Sequence, residues 1–284
     1  MRGWRLAPGH DSALPAEEDG CLRWRPFTGN CARLIERGRH LAFAVSPGNG
    51  YFSEDRIVSM VEWGCARFRA VDLVTADVPM AACTYLGRGY EERHARQRAK
   101  RDVRQMENRI GRALARVDHH GAAVRVRYFD HAIGQPGYAR VRAEIARARR
   151  DDPAFAATCR RMVLDVLTAR MPDGWQPDPA QLAAGAEYLD MELPWFADTP
   201  GVLGVAESVM VYRVVPAFAP YLYPRGGVSP DHQGFMLLEA LDALEGADGG
   251  PGGAAMAQPR AAGAISGASC VPLLVEKSIK DPGA

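Results

Sequence analysis

Ser46 closes an apolar run, Leu41 to Val45, and a tight Pro47-Gly48-Asn49-Gly50 turn follows it. Straight after the turn, Ser53 precedes Glu54 and Asp55, the arrangement of a helix N-cap with acids in its first turn. Strand, serine, turn and helix in that order place a hydroxyl at the carboxyl end of a strand beside a helix N-terminus. Open α/β sheets bind ligands there. Such a hydroxyl is suited to accept an acyl group, and it equally suits an ordinary turn serine bonded to local backbone. A second pair, Tyr188 and Glu192, stands four residues apart on a predicted helix and so shares one face. A carboxylate beside a phenol can hold a substrate ammonium and move protons; the same spacing also describes a plain surface pair.

The elements that must carry these residues follow from periodicity and caps. A helix over 31–38 leads into the strand at 40–46, and a second helix runs from Ser53 to about Arg69. Val71 to Ala76 reads as a strand and Asp77 to Leu86 as a helix, so the order is β-α-β with short connections. That order favours a parallel sheet. A long helix over 89–117, a strand near 123–128 and a helix near 137–150 come next. Asp152-Pro153 then opens a helix to about Arg170. Asp178-Pro179-Ala180-Gln181 has the cap, first-turn proline and N3 glutamine of another helix, expected over 179–191. Strands near 207–215 and 233–238 complete the pattern. Three segments are expected: an irregular 1–30, a single α/β domain over 31–243, and a Gly/Ala-rich disordered tail over 244–284.

Net charge is only +1, yet charge is segregated. From Arg88 to Arg116 there are ten basic residues against four acidic ones. Arg98, Arg101, Arg109, Arg112 and Arg116 fall within about 80° of one another on a helical wheel. Val103, Met106, Ile110, Leu114 and Val117 gather opposite them. The apolar stripe is expected to dock on the core and leave the arginines facing solvent, with Asp102 the one acid near the row. A one-signed row suits a polyanion contacted through its phosphates. Folded RNA fits better than DNA, because no helix-turn-helix or zinc finger is present.

Composition excludes several other classes. Charged residues make up 24 % of the chain, as in ordinary globular proteins. No apolar stretch approaches the roughly 18 residues of a membrane span, and the N-terminus lacks the apolar core of a secretory signal. The six cysteines form no C-x-x-C pair and the seven histidines are scattered, so neither a metal site nor a disulfide framework is expected. The chain reads as a cytoplasmic monomer without metal or cofactor.

Taken together, Ser46-x-Gly48-Asn49-x-Tyr51-Phe52-Ser53, the basic helix, Tyr188-x-x-x-Glu192, Pro194-x-Phe196-Ala197-Asp198-x-Pro200-Gly201 and Tyr212 resemble the cyclodipeptide synthases over about residues 33–240. The resemblance implies an α/β, Rossmann-like parallel sheet flanked by helices, similar to the catalytic core of class I tyrosyl- and tryptophanyl-tRNA synthetases. It also implies two aminoacyl-tRNAs as substrates and no ATP. Carried over, Ser46 is the nucleophile, Asn49 supports the substrate beside it, and Tyr188 and Glu192 bind the α-amino group, with Glu192 also in proton transfer. Tyr212 relays protons during cyclisation, Tyr138 lies in the same pocket, and Arg109 aligns with one of two adjacent tRNA-binding arginines. Two positions depart from the pattern. Asn108 stands where the partner arginine would be, and Arg213 stands where members of the asparagine-type branch usually have His.

Strand alternation puts Ala42, Ala44 and Ser46 on one face. With Val74 and Trp195 they are expected to line a pocket with room for a bulky hydrophobic or aromatic first amino acid. No His-Asp pair stands in a recognisable relation to Ser46, against a hydrolase triad. Two rival readings remain at this point: a serine-dependent acyltransferase or hydrolase that uses no RNA, and a non-catalytic RNA-binding protein.

Overall fold

A computed structural model describes residues 14–19, 22–224 and 226–240. The chain opens with β1 (Glu17–Asp19), β2 (Leu22–Pro26) and α1 (Gly29–Arg37), followed by β3 (His40–Ala44), α2 (Glu54–Cys65) and β4 (Ala70–Thr75). Next come α3 (Val78–Leu86), α4 (Glu92–Leu114), β5 (Ala123–Tyr128), α5 (Asp130–Ile133) and α6 (Pro136–Asp151). The remainder is α7 (Pro153–Thr168), α8 (Pro179–Leu203), β6 (Ser208–Tyr212), α9 (Ala219–Leu222) and β7 (Gln233–Ala240). The strands form one sheet in the order β1-β2-β7-β6-β3-β4-β5. From β7 to β5 every pairing is parallel, with Leu41 opposite both Val71 and Val209.

The caps read from sequence are the ones that form. The Ser53 hydroxyl accepts from Arg56 N, and Asp77, which was not read as a cap, likewise accepts from Met80 N at 2.8 Å. Asp178 and Gln181 cap each other's backbone at 2.8 and 2.9 Å, fixing the first turn of α8. Every residue from Leu41 to Ser46 is buried, because helices cover both faces of the parallel sheet.

Three expectations need correction. Residues 17–19 and 22–26, expected to be irregular, are strands that pair antiparallel with each other, and β2 also pairs antiparallel with β7, Trp24 opposite Leu238. The sheet is therefore mixed. The helix expected to end at 191 runs on to Leu203, and α4 is shorter than 89–117 at both ends: it starts at Glu92, after Gly89 at φ 83°, and its C-cap is Ala115, which leaves Arg116 beyond it. The expected disordered tail lies outside the described residues.

Candidate active site

Ser46 lies two residues past the end of β3 and is completely buried. The turn after it is closed by Asn49, whose N–H donates to the Ser46 carbonyl at 3.2 Å while its side-chain oxygen accepts from Tyr51 N at 3.0 Å. Gly48 sits at φ 73°, and a Cβ there would stand 3.0 Å from Asp102 Oδ2, so both backbone and space call for glycine. Asp102 reaches the turn from α4, where the Tyr85 hydroxyl also donates to it. Burial and then that carboxylate push the Tyr85 phenol up to about 12. From beyond α7, Arg170 donates to the Gly48 carbonyl at 3.2 Å.

Tyr188 and Glu192 share one face of α8 as expected, but in the interior rather than at a surface. The Tyr188 hydroxyl is buried without a hydrogen-bond partner, and its ring meets Phe129 edge-on at 5.8 Å. Burial raises the Glu192 carboxyl to about 8, and no opposing charge or hydrogen bond offsets that burial. The helix passes Pro194 and breaks at Asp198 (φ −156°, ψ 68°). Asp198 accepts from Gly201 N at 2.9 Å and Arg140 at 2.8 Å, and Gln233 takes the Thr199 N–H at 2.8 Å. The Phe196-to-Gly201 motif thus serves as a satisfied helix break. Tyr138 donates to the Met191 carbonyl at 3.1 Å, and at Gly137 a Cβ would come 1.9 Å from the Gly201 carbonyl oxygen. Tyr138 therefore positions the turn that carries Glu192.

A cavity of about 270 Å³ opens beside the serine turn. Asn49, Tyr188 and Arg213 line it, together with the small side chains of Ala76, Ala81 and Thr84. Ser46, Glu192 and Tyr212 adjoin wall residues without being wall themselves: Ser46 precedes Pro47, Glu192 follows Tyr188 by one turn, and Tyr212 precedes Arg213. Tyr212 ends β6 and packs edge-on against Phe196 at 6.3 Å. The expected pocket of Ala42, Ala44, Val74 and Trp195 is corrected in kind. All four are sealed in the packed interior and absent from this cavity's wall, whose alanines come from the segment after β4 and from α3.

The arginine row is also divided. Arg112 and Arg116 pair with Glu54 at 2.6 and 3.0 Å, and Arg116 also with Asp55 at 2.8 Å. Those hydrogen bonds hold the Glu54 carboxyl below its ordinary value. The acids that favour the N-terminus of α2 therefore neutralise the far end of α4, contrary to the expectation that Asp102 alone lies near the row. Arg109 reaches the Phe52 carbonyl at 3.5 Å. Arg98 and Arg101 are exposed, Arg98 lying over the Tyr90 ring at 4.8 Å. Arg88, Arg170 and Asp102 at the cavity were not singled out as site residues, since no periodicity links α3, α7 and α4.

Among the described residues no group of three or more His, Cys, Asp or Glu could hold a metal, and no helix is long and apolar enough to cross a membrane.

The family model described as cyclodipeptide synthase matches residues 22–240. The chain is 32 % identical over 213 residues to a cyclo(L-leucyl-L-phenylalanyl) synthase of Streptomyces noursei, covering 75 % of this chain and 88 % of that protein. It is 31 % identical over 202 residues to a cyclo(L-tyrosyl-L-tyrosyl) synthase of Mycobacterium tuberculosis, covering 71 % and 70 %. Among solved structures, one from Mycobacterium tuberculosis superposes with TM-score 0.71 at 28 % identity, covering 84 % of this chain and all of that one. That structure is described as demonstrating that cyclodipeptide synthetases are related to type I tRNA-synthetases.

Proposed function

The chain belongs to the cyclodipeptide synthase family, and on that premise we propose that it joins the aminoacyl groups of two aminoacyl-tRNAs by ping-pong acyl transfer through Ser46. The supporting observation is the Tyr188 hydroxyl: buried, unpartnered, on the cavity wall beside the serine turn and one helical turn from Glu192. A buried hydroxyl with no partner is costly unless a ligand supplies one, and an α-ammonium supplies a donor to both the phenol and the carboxylate.

In the first step Ser46 Oγ attacks the ester carbonyl. The Oγ–carbonyl bond forms, the bond to the ribose oxygen breaks, and the serine proton passes to that oxygen. Ester replaces ester, so the step is close to isoenergetic and needs positioning more than driving force. Because Ser46 is completely buried, the 47–50 turn must shift to admit the ester. The amine of the Ser46-bound aminoacyl group then attacks the ester carbonyl of the second aminoacyl-tRNA: the C–N bond forms, the bond to the ribose oxygen breaks, that oxygen takes up the proton the amine loses, and the dipeptidyl ester stays on Ser46. The free amine of that dipeptide closes on the remaining ester, releasing the diketopiperazine and restoring Ser46. Asn49 supports the substrate, and Glu192 and Tyr212 carry protons. The small walls at Ala76, Ala81 and Thr84 leave room for a bulky hydrophobic or aromatic first residue.

The test is to mix the protein with one aminoacyl-tRNA and analyse it by intact-mass and peptide mass spectrometry. An aminoacyl ester on Ser46, absent in Ser46→Ala, is expected. Cyclic dipeptide made by Ser46→Ala would overturn the scheme. RNA binding without any acyl adduct would favour a binding protein, and acylation from a small ester but not from tRNA would favour an RNA-free acyltransferase.

A further inference from the structure

The cavity beside Ser46 is not closed. It shares Gly48, Tyr85, Arg88, Asp102 and Arg170 with a neighbouring space of about 330 Å³ that extends to Tyr90, Arg98 and Arg101. One groove therefore leads from Tyr188 to the exposed N-terminal half of α4. Along it Arg88, Arg170, Arg101 and Arg98 face a single acid, Asp102, which is already engaged by Tyr85 and Arg101. Arg88 is half-buried and held by the Val166 and Leu167 carbonyls at 2.9 and 3.3 Å. Neither Arg88 nor Arg170 has an acidic partner among the described residues. Burial, and then the charge of Arg170, lower the proton affinity of Arg88, so two cations stand together uncompensated. Further out, Tyr90 lies edge-on to Tyr85 at 5.6 Å with the Arg98 guanidinium over its ring.

We propose that this groove takes the single-stranded 3′ end of the acyl-donor RNA, with Arg170 and Arg88 holding the internucleotide phosphate nearest the ester and Tyr90 stacking a base. The inference rests on the function proposed above and adds residues outside the arginine row. Guanidinium pairs suit phosphate oxygens, and cationic grooves with stacking aromatics hold single strands without reading sequence. The neutralised Arg112 and Arg116 turn the strand across the near half of α4 rather than along its length.

The experiment measures binding of a minihelix RNA with a four-nucleotide 3′ overhang, and of the same RNA with a methylphosphonate in place of its last internucleotide phosphate. Binding does not depend on the Ser46 chemistry, so the two proposals fail separately. For the native chain the neutral linkage is expected to weaken binding about tenfold. Arg170→Ala should bind the natural RNA about tenfold more weakly and be indifferent to the methylphosphonate, with the slope of log K against log salt reduced by about 0.7. Arg170→Lys should recover the slope, and Tyr90→Phe should bind normally where Tyr90→Ala does not. Equal methylphosphonate losses in native and Arg170→Ala proteins would overturn the proposal. So would an unchanged salt slope, which would leave Arg170 as a brace for the Gly48 carbonyl alone.

Discussion

Replacing Glu192 by glutamine should make the protein more stable at neutral pH, by an amount that depends on pH in a defined way. The carboxyl is held at about 8 by burial, against 4.5 for the ordinary side chain. Below 4.5 both folded and unfolded states hold the proton, and burial of the neutral acid carries no ionisation penalty. As pH rises from there the unfolded chain gives up its proton while the folded protein keeps it, so stability falls up to about pH 8 and is then level. Each unit is worth about 1.4 kcal/mol, so the penalty reaches about 3 kcal/mol at pH 7 and about 5 kcal/mol above pH 8. Glutamine is neutral throughout. The difference between Glu192→Gln and the native chain should therefore be near zero at pH 4.5 and grow to those values. Urea unfolding of both proteins from pH 4.5 to 8.5 reads it directly. A constant difference across that range, or a less stable variant at pH 8, would refute the reasoning. An acid poised near 8 is also able to give and take a proton under working conditions.

Two further outcomes follow from unsatisfied and over-satisfied groups. Tyr188→Phe deletes a buried hydroxyl that has no partner in the free protein, so thermal unfolding should show it unchanged or stabilised by roughly 1 kcal/mol. Formation of the Ser46 ester should nevertheless slow at least tenfold, and a destabilised Tyr188→Phe would mean the hydroxyl is bonded in the free protein. Glu54→Gln removes the carboxylate that Arg112 and Arg116 share. RNA binding should tighten at low salt and its salt slope steepen by about 0.7, with an unchanged slope showing that this end of α4 never meets the RNA.

What was legible in the chain was local. Strand β5 was read at its true bounds because valine alternates with arginine from Val124 to Arg127, and Asp152 and Asp178 announced the starts of α7 and α8. The end of α8 was misread because Pro194 and Pro200 are breakers by local rules. Here the break at Asp198 is satisfied from 58 residues away by Arg140, and the Thr199 N–H from 34 residues away by Gln233. The same holds for the arginine row. Its helical face follows from spacing, but Glu54 lies 58 residues from Arg112, and only the packing of α2 on α4 brings them together. Side-chain alternation put Ala42 and Ala44 on one face and could not say that both would be sealed in the packed interior.

The sheet also carries a line that sequence reading did not find. The Ser208 hydroxyl lies 2.7 Å from His40 Nδ1, and His40 Nε2 is 3.2 Å from Asp72. In outline this is a serine–histidine–aspartate relay. All three residues are buried, however, and His40 begins the strand that Ser46 follows, six residues earlier, so the two serines are about 20 Å apart. Asp72 also holds Arg125 at 3.1 Å and Arg127 at 2.9 Å. Burial alone would raise its carboxyl, yet His40 and the two arginines hold it below the ordinary value. The relay's work is to keep a charge inside the sheet. A hydrolase must have such a base beside its nucleophile, and this relay lies far from Ser46, whose turn adjoins a cavity with the unpartnered Tyr188 phenol on its wall. That equipment fits an acyl donor that arrives already activated, for which recognition of the amine matters more than the strength of the base.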